Sequence, residues 1–264
     1  DTTEAFPDPG IVDTEIYYRG RSYFLISNTA PPSIFSKVFH GWHAFLNDGV
    51  VLGNNKLIAP RYLTKLLSEG NYNEAQLAWQ KYLDIFSDFS FYTGLITIFT
   101  GSFPPGGIRW EKPDDFHIFG SLGIGTGGFQ PLYNISFTEI MRIIINALDV
   151  DQRIIRAGIS SFVNSIASTS FHEKTIRDRL VIGKIIGLQR DDQGSICATM
   201  SDSTIERFDR VIVTSTNRSM QVNLKLTHGK EWFNESIRRA INETHLIGSS
   251  KIFILTKSKF WIKN

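Results

Sequence analysis

Cysteine is almost absent from this chain. A lone Cys197 has no partner for an intrachain disulfide, which excludes a stapled secreted framework and fits a reducing compartment. Long apolar runs are missing as well: no stretch approaches the roughly 18 residues that a membrane-spanning helix needs. Charge of one sign is also lacking, because the formal net charge is only +2 and the basic residues are scattered. A nucleic-acid footprint is therefore excluded. Residues 1–10 carry neither the basic nor the apolar region of a secretory signal, which leaves open one removed ahead of Asp1. No internal repeat and no low-complexity tract is present.

What the chain does have is apolar content. With 264 residues and 42% hydrophobic side chains there is enough for a sizeable core, in one large domain or two small ones. The first half reads mostly as helix and the second mostly as strand. Pro60 and Gly70 bracket a short helix over Arg61 to Glu69. Ala75, Leu77, Ala78, Tyr82, Leu83 and Phe86 recur at helical spacing within Asn73 to Phe86, and another helix follows over Ser90 to Phe99. Proline, glycine and Trp110 mark residues 104–113 as an ordered loop. Ser136-Phe137-Thr138-Glu139 has a capping-box pattern that opens a helix through Leu148. Beyond residue 180 the period changes to that of strands: Leu180 to Gln189, Ser195 to Met200 and Ile205 to Thr214, with a polar turn at Asp191-Asp192-Gln193-Gly194. Glu231 to His245 returns to helix.

The loop Gly123-Ile124-Gly125-Thr126-Gly127-Gly128-Phe129 satisfies G-x-G-x-x-G, with Asp149 about twenty residues on, as a dinucleotide fingerprint would have it. That fingerprint works only where its glycines join a strand to a helix whose N-terminus meets the pyrophosphate. Here Pro131 follows the glycines and the capped helix starts only at Ser136. Two readings stay open: glycines that let backbone approach a ligand, and a plain structural loop. His40 and His43 could share one helical face, but no further ligands are placed for a metal, which favours helix packing. Neither Ser160-Ser161 nor Ser249-Ser250 lies in the G-x-S-x-G frame of a nucleophile elbow. Arg177, Arg179 and Lys184 read most simply as a solvated face.

Lys251, following Gly248-Ser249-Ser250, stands at the start of an apolar strand, either snorkelling to solvent or placed for chemistry. This tail through Phe260-Trp261, preceded in order by Phe6 to Thr14, the Gly123 to Phe129 loop, Asp209 to Thr216 and Arg218-Ser219-Met220-Gln221, resembles the flavin-dependent amine oxidase superfamily. Within it the likeness is to the bacterial branch of tryptophan 2-monooxygenases and related L-amino acid oxidases, over nearly the whole chain.

The resemblance implies a mixed α/β fold. Residues 1–150 would form a mostly helical substrate-binding domain, 151–220 part of a Rossmann-like FAD-binding domain, and 221–264 would return to the substrate-binding domain. It implies FAD as cofactor, with both flavin-cradling ends lying outside this sequence, so that the chain reads as the central piece of a longer enzyme. The reaction would be oxidation of an L-amino acid with O₂, ending either in deamination to a keto acid or in oxidative decarboxylation to the amide. Ile185, in Lys184-Ile185-Ile186-Gly187-Leu188, matches a strand that contacts the FAD adenine through main chain; an ordinary core strand suits the same residues. Asp209 to Thr216 resembles the strand entering the ribose side. Lys251 would sit against both flavin and reaction, its cation stabilising negative charge that develops as electrons pass to O₂. Gly125, Thr126 and Phe129 would line the substrate side, and the aromatics Trp110, Phe116, Phe119 and Phe129 lean towards an apolar substrate. No metal is implied, nor any nucleic-acid or membrane partner. The implied partners are the N- and C-terminal segments of the same enzyme, with a homo-oligomer left open, and the implied location is the bacterial cytoplasm. From another class, a remnant or binding module that kept the fold and lost FAD also fits.

Overall fold

In a computed structural model the described residues are 3–5, 14–26, 29–124, 127–148, 152–226, 234–244 and 255–257. The chain forms two compact units, Asp1–Val163 and Asn164–Asn264, of mixed α/β structure.

The first unit opens with short strands β1 (Thr3–Ala5), β2 (Thr14–Tyr18) and β3 (Arg21–Leu25). Helix α1 (Ser33–Asp48) follows Pro31-Pro32 and buries one stripe, Phe35, Val38, Trp42 and Phe45, as the 3.6-residue period requires. It ends at Gly49 (φ 75°), where a Cβ would lie 2.2 Å from the Leu57 carbonyl oxygen. Both the backbone angle and the space exclude any other residue there. A hairpin of β4 (Val50–Leu52) and β5 (Asn55–Leu57) leads to α2 (Pro60–Ser68), α3 (Tyr72–Phe86) and α4 (Phe91–Thr100). Helix α2 starts on its proline and is followed by Gly70 at φ 77°, as the Pro/Gly bracket predicts. Helix α3 buries Ala75, Tyr82 and Phe86, but Leu77 is 72% exposed, because the buried face is narrower than the apolar spacing suggests. Helix α4 is capped by Ser90, whose Oγ accepts from the Thr93 N–H. The Pro104–Pro113 loop is ordered, and Trp110 within it is fully buried, its ring stacked on Phe99 at 3.8 Å.

Helix α5 (Pro113–Ser121) carries a reach-back cap. Buried Asp115 accepts from the N–H groups of Glu111 and Lys112 and also pairs with Lys37 Nζ at 2.8 Å, tying α5 to α1. The tiny hairpin β6 (Gly123–Ile124) and β7 (Gly127–Gly128) leads to α6 (Phe137–Ile145). The capping box expected at Ser136 does not form: Ser136 Oγ pairs with Thr138 Oγ1, and Glu139 is taken by Arg142. The helix also stops at Ile145, short of Leu148. Its last carbonyls are met by Leu148 N–H on Ile143 and Ala147 N–H on Ile144, with Ala147 in the left-handed region at φ 51°. After β8 (Arg153–Ile155), which pairs with β1, comes α7 (Ile159–Ala167).

The second unit holds the short pair β9 (Ser170–Phe171) and β10 (Lys174–Thr175), then a four-stranded sheet in the order β13-β12-β11-β14. Its strands are β11 (Ile185–Arg190), β12 (Ile196–Met200), β13 (Ile205–Phe208) and β14 (Lys225–Leu226), with α8 (Asn217–Asn223) before β14 and α9 (Glu235–Glu243) after it. The predicted turn between β11 and β12 is built by Asp191, whose Oδ1 accepts from the N–H of Gln193 and of Ser195, with Gly194 at φ 88°. Two strands are shorter than expected, and for one reason: β12 is their common partner and spans only five residues. Ile185 pairs with Met200 at one end and Phe208 with Ile196 at the other. Residues 180–184 and 209–214 therefore have no β12 residue to pair with, and strand propensity alone does not make a ladder. Asp209 to Thr216 is accordingly not a strand; Thr216 instead caps α8 through the Ser219 N–H. Within the predicted helix Glu231 to His245, the described turns run from Glu235 to Glu243.

Helices α4 and α6 approach closely at Gly94, where a Cβ would lie 2.2 Å from the ring of fully buried Phe137. Gly94→Ala should destabilise the chain by about 1–3 kcal/mol through overpacking, read by urea unfolding, and Gly94→Ala with Phe137→Leu should recover part of the loss. Full stability in the single variant would show that the two helices are free to part.

Candidate functional site

The glycine segment is a hairpin and not a strand-to-helix turn. Gly123 pairs with Gly128 and Ile124 with Gly127 in antiparallel register; Gly125 and Thr126 lie outside the described residues. The preceding element is the C-terminus of α5, where the Leu122 carbonyl accepts from the Phe129 N–H at 2.7 Å. A helix C-terminus presents carbonyl oxygens and partial negative charge, the wrong polarity for a pyrophosphate. Only a single 3-10 turn, Gln130–Leu132, follows, and the next α-helix starts at Phe137, so the dinucleotide-fingerprint reading fails on geometry.

Small residues press the hairpin onto α5. A Cβ on Gly128 would meet the Gly120 carbonyl oxygen at 2.3 Å, and one on Gly120 would meet Gln130 Cβ at 2.9 Å and the Tyr133 hydroxyl at 3.0 Å. Tyr133 donates its hydroxyl to the Phe116 carbonyl, and burial pushes its phenol pKa up. Phe129 closes the arrangement. Its ring lies on Phe119 at 4.7 Å and 9°, with Trp42 and Phe91 at 5.9 and 5.7 Å. Phe129, Phe116, Phe119 and Trp110 are all buried in the aromatic core. Their rings pack one another.

His40 and His43 also belong to packing. His40 Nδ1 meets the Ser36 carbonyl at 2.7 Å, and His43 lies on Phe39 at 4.2 Å. Burial, then Arg61 and His40, hold the His43 pKa below its ordinary value, which keeps the ring neutral at pH 7. Among the described residues no group of His, Cys, Asp and Glu could hold a metal ion, and no helix is long and apolar enough to cross a membrane.

In the second unit, Ile185 begins β11. Its Cα partner on one side is Met200, while β14 is in register only with Gly187 and Leu188, and the Ile185 side chain is 43% exposed. Its main chain is therefore left without a β14 partner at this end of the strand. Leu188, by contrast, is core at 2% exposure. Arg218 to Gln221 lie on α8, where Gln221 Nε2 donates to the Asn242 carbonyl at 3.1 Å and ties α8 to the end of α9. Arg177 and Arg179 serve the local fold, donating to Asn164 Oδ1 and to the Phe171 carbonyl. Lys251 lies outside the described residues.

A cavity of about 340 Å³ between α2, α3 and α6 was missed in the sequence, because its residues read simply as helix faces. It is apolar except for Arg142, Asn146, Gln76 and the hydroxyl of Tyr72.

A model of the flavin containing amine oxidoreductases matches residues 1–264, and the chain belongs to that family. Its relatives include tryptophan 2-monooxygenases. The protein of that name from Pseudomonas savastanoi is 47% identical over all of this chain and 47% of its own length, and that from Pantoea agglomerans pv. gypsophilae is 44% identical over the same shares. The one from Rhizobium rhizogenes is 36% identical over all of this chain and 35% of its own length. The chain thus spans about half the length, or less, of the curated relatives it matches.

If Phe129 serves the core, Phe129→Ala should cost about 3–5 kcal/mol in urea unfolding, the range for deleting a buried aromatic. A variant of unchanged stability with altered ligand preference would place the ring in a binding site instead.

Proposed function

We propose that this polypeptide works in the FAD-dependent oxidation of an L-amino acid, tryptophan first, with O₂ as acceptor. The observation that carries this reading is the 47% and 44% identity, over the whole chain, to two proteins called tryptophan 2-monooxygenase. Their name also favours the monooxygenase outcome: one O₂ is consumed, the carboxylate leaves as CO₂, water is formed, and the amino acid becomes the amide one carbon shorter. The flavin, when bound, supplies the two-electron oxidation and the reaction with O₂.

The chain's own residues take three roles in this reading. The helical unit, over residues 1–150, is the substrate-binding side, with Gly125 and Thr126 contributing to the amino-acid site. Strands β11, β12 and β13, within residues 151–220, belong to the FAD-binding side, and Ile185 contacts the adenine through main chain. Lys251, in the returning segment 221–264, holds a compact positive charge where negative charge develops, in a site with little competing solvent.

Expressed from its complete reading frame with FAD, the protein should convert L-tryptophan to indole-3-acetamide with matching O₂ uptake. A keto acid and peroxide as the products would make it an oxidase, and no turnover with any L-amino acid would favour a binding module that kept the fold. Lys251→Met should keep fold and flavin content while slowing turnover about a hundredfold or more, the scale for removing one preorganised electrostatic group. Unchanged flavin reduction and reoxidation would reduce Lys251 to a strand-edge charge. Thr126→Asp should shift preference towards cationic side chains, since a carboxylate in a partly desolvated pocket needs a positive partner. Flavin occupancy should stay constant; its loss would move the hairpin to the phosphate side of the cofactor.

A further inference from the structure

The cavity between α2, α3 and α6 shares no residue with the glycine hairpin or with β11. Leu63 and Leu67 of α2 and Ile145 of α6 give it aliphatic walls, and Trp79 of α3 gives it an indole. That indole is held in place. It stacks on Tyr82 at 5.7 Å and 20°, and Tyr82 is fully buried with its hydroxyl donating to the Ile58 carbonyl at 2.7 Å. A flat wall fixed in this way binds a flat ligand at low ordering cost.

Arg142 is the one charged residue that lines the cavity. A guanidinium has five N–H donors in a planar fork that matches a carboxylate. Among the described residues only Nη1 is engaged, on Glu139 Oε1 at 2.9 Å, and both side chains of that pair are more than half exposed. Such a pair contributes little, and the remaining donors of the fork are left for an anion whose ring is held by the cavity walls. The C-terminal carbonyls of α6, which would otherwise repel an anion, are already met. Asn146 N–H takes Arg142, Leu148 N–H takes Ile143, Ala147 N–H takes Ile144, and the Thr64 hydroxyl takes Ile145.

We propose that this cavity is a ligand site of its own, for a small planar aromatic carboxylate whose ring lies between Trp79 and the aliphatic walls and whose acid meets Arg142. The volume stands at the low end of small-molecule sites, which suits one or two fused rings. The proposal does not rest on flavin chemistry, and it is tested by binding alone.

Isothermal titration of the purified chain with naphthalene-2-carboxylate should give one saturable site, with naphthalene-2-carboxamide about tenfold weaker, the loss expected for one charge-assisted contact. Arg142→Gln should erase the difference between acid and amide. Trp79→Ala should weaken both, and Glu139→Gln, which frees Arg142 without touching the core, should tighten the acid alone. Three results would overturn the proposal: no saturable heat at millimolar probe, equal affinity for acid and amide, or acid binding in Arg142→Gln as tight as in the unaltered chain.

Discussion

The stack of Phe129 on Phe119 is the contact around which the helical unit is organised. Phe119 belongs to α5 and Phe129 follows the glycine hairpin directly, so burying the two rings face to face fixes the hairpin against the end of that helix. The approach is close enough that Gly120 and Gly128 tolerate no Cβ. Trp42 of α1 and Phe91 of α4 pack the same pair, and backbone bonds from Phe91 N–H to the Ile135 carbonyl and from Phe137 N–H to the Phe89 carbonyl bring in the start of α6. Each fully buried ring contributes about 1.5–3 kcal/mol of transfer free energy, and the cluster anchors several elements at once.

Much of this was legible in the residues. Pro60 and Gly70 bracketed α2, Ser90 capped α4, and Asp191 to Gly194 made the turn that the sequence indicated, because local side-chain-to-backbone bonds decide such features. Ser136 shows the limit of that logic. Its box pattern is intact, yet Thr138 and Arg142 offer better partners to the two side chains that should have capped each other. The cap forms one helix earlier, at Asp115, where the side chain is buried and Lys37 balances its charge. Strand lengths were not legible, since residues 209–214 have all the propensity of a strand and lack only a neighbour. Where Trp110, Phe116, Phe119 and Phe129 sit was not legible, because a core and a pocket draw on the same side chains, and only packing separates them. The α2-α3-α6 cavity was invisible for the same reason.

Membership of the flavin containing amine oxidoreductases joins these pieces to a chemistry. The proposed function would make the glycine hairpin a substrate-side loop, β11 a cofactor-side strand and Lys251 a positive charge beside the redox step. The most direct measurement is anaerobic mixing of the FAD-loaded protein with L-tryptophan. Rapid bleaching of the flavin's visible absorbance, reversed on admitting O₂, is the predicted result; a spectrum that stays oxidised with L-tryptophan and with every other L-amino acid would contradict the account.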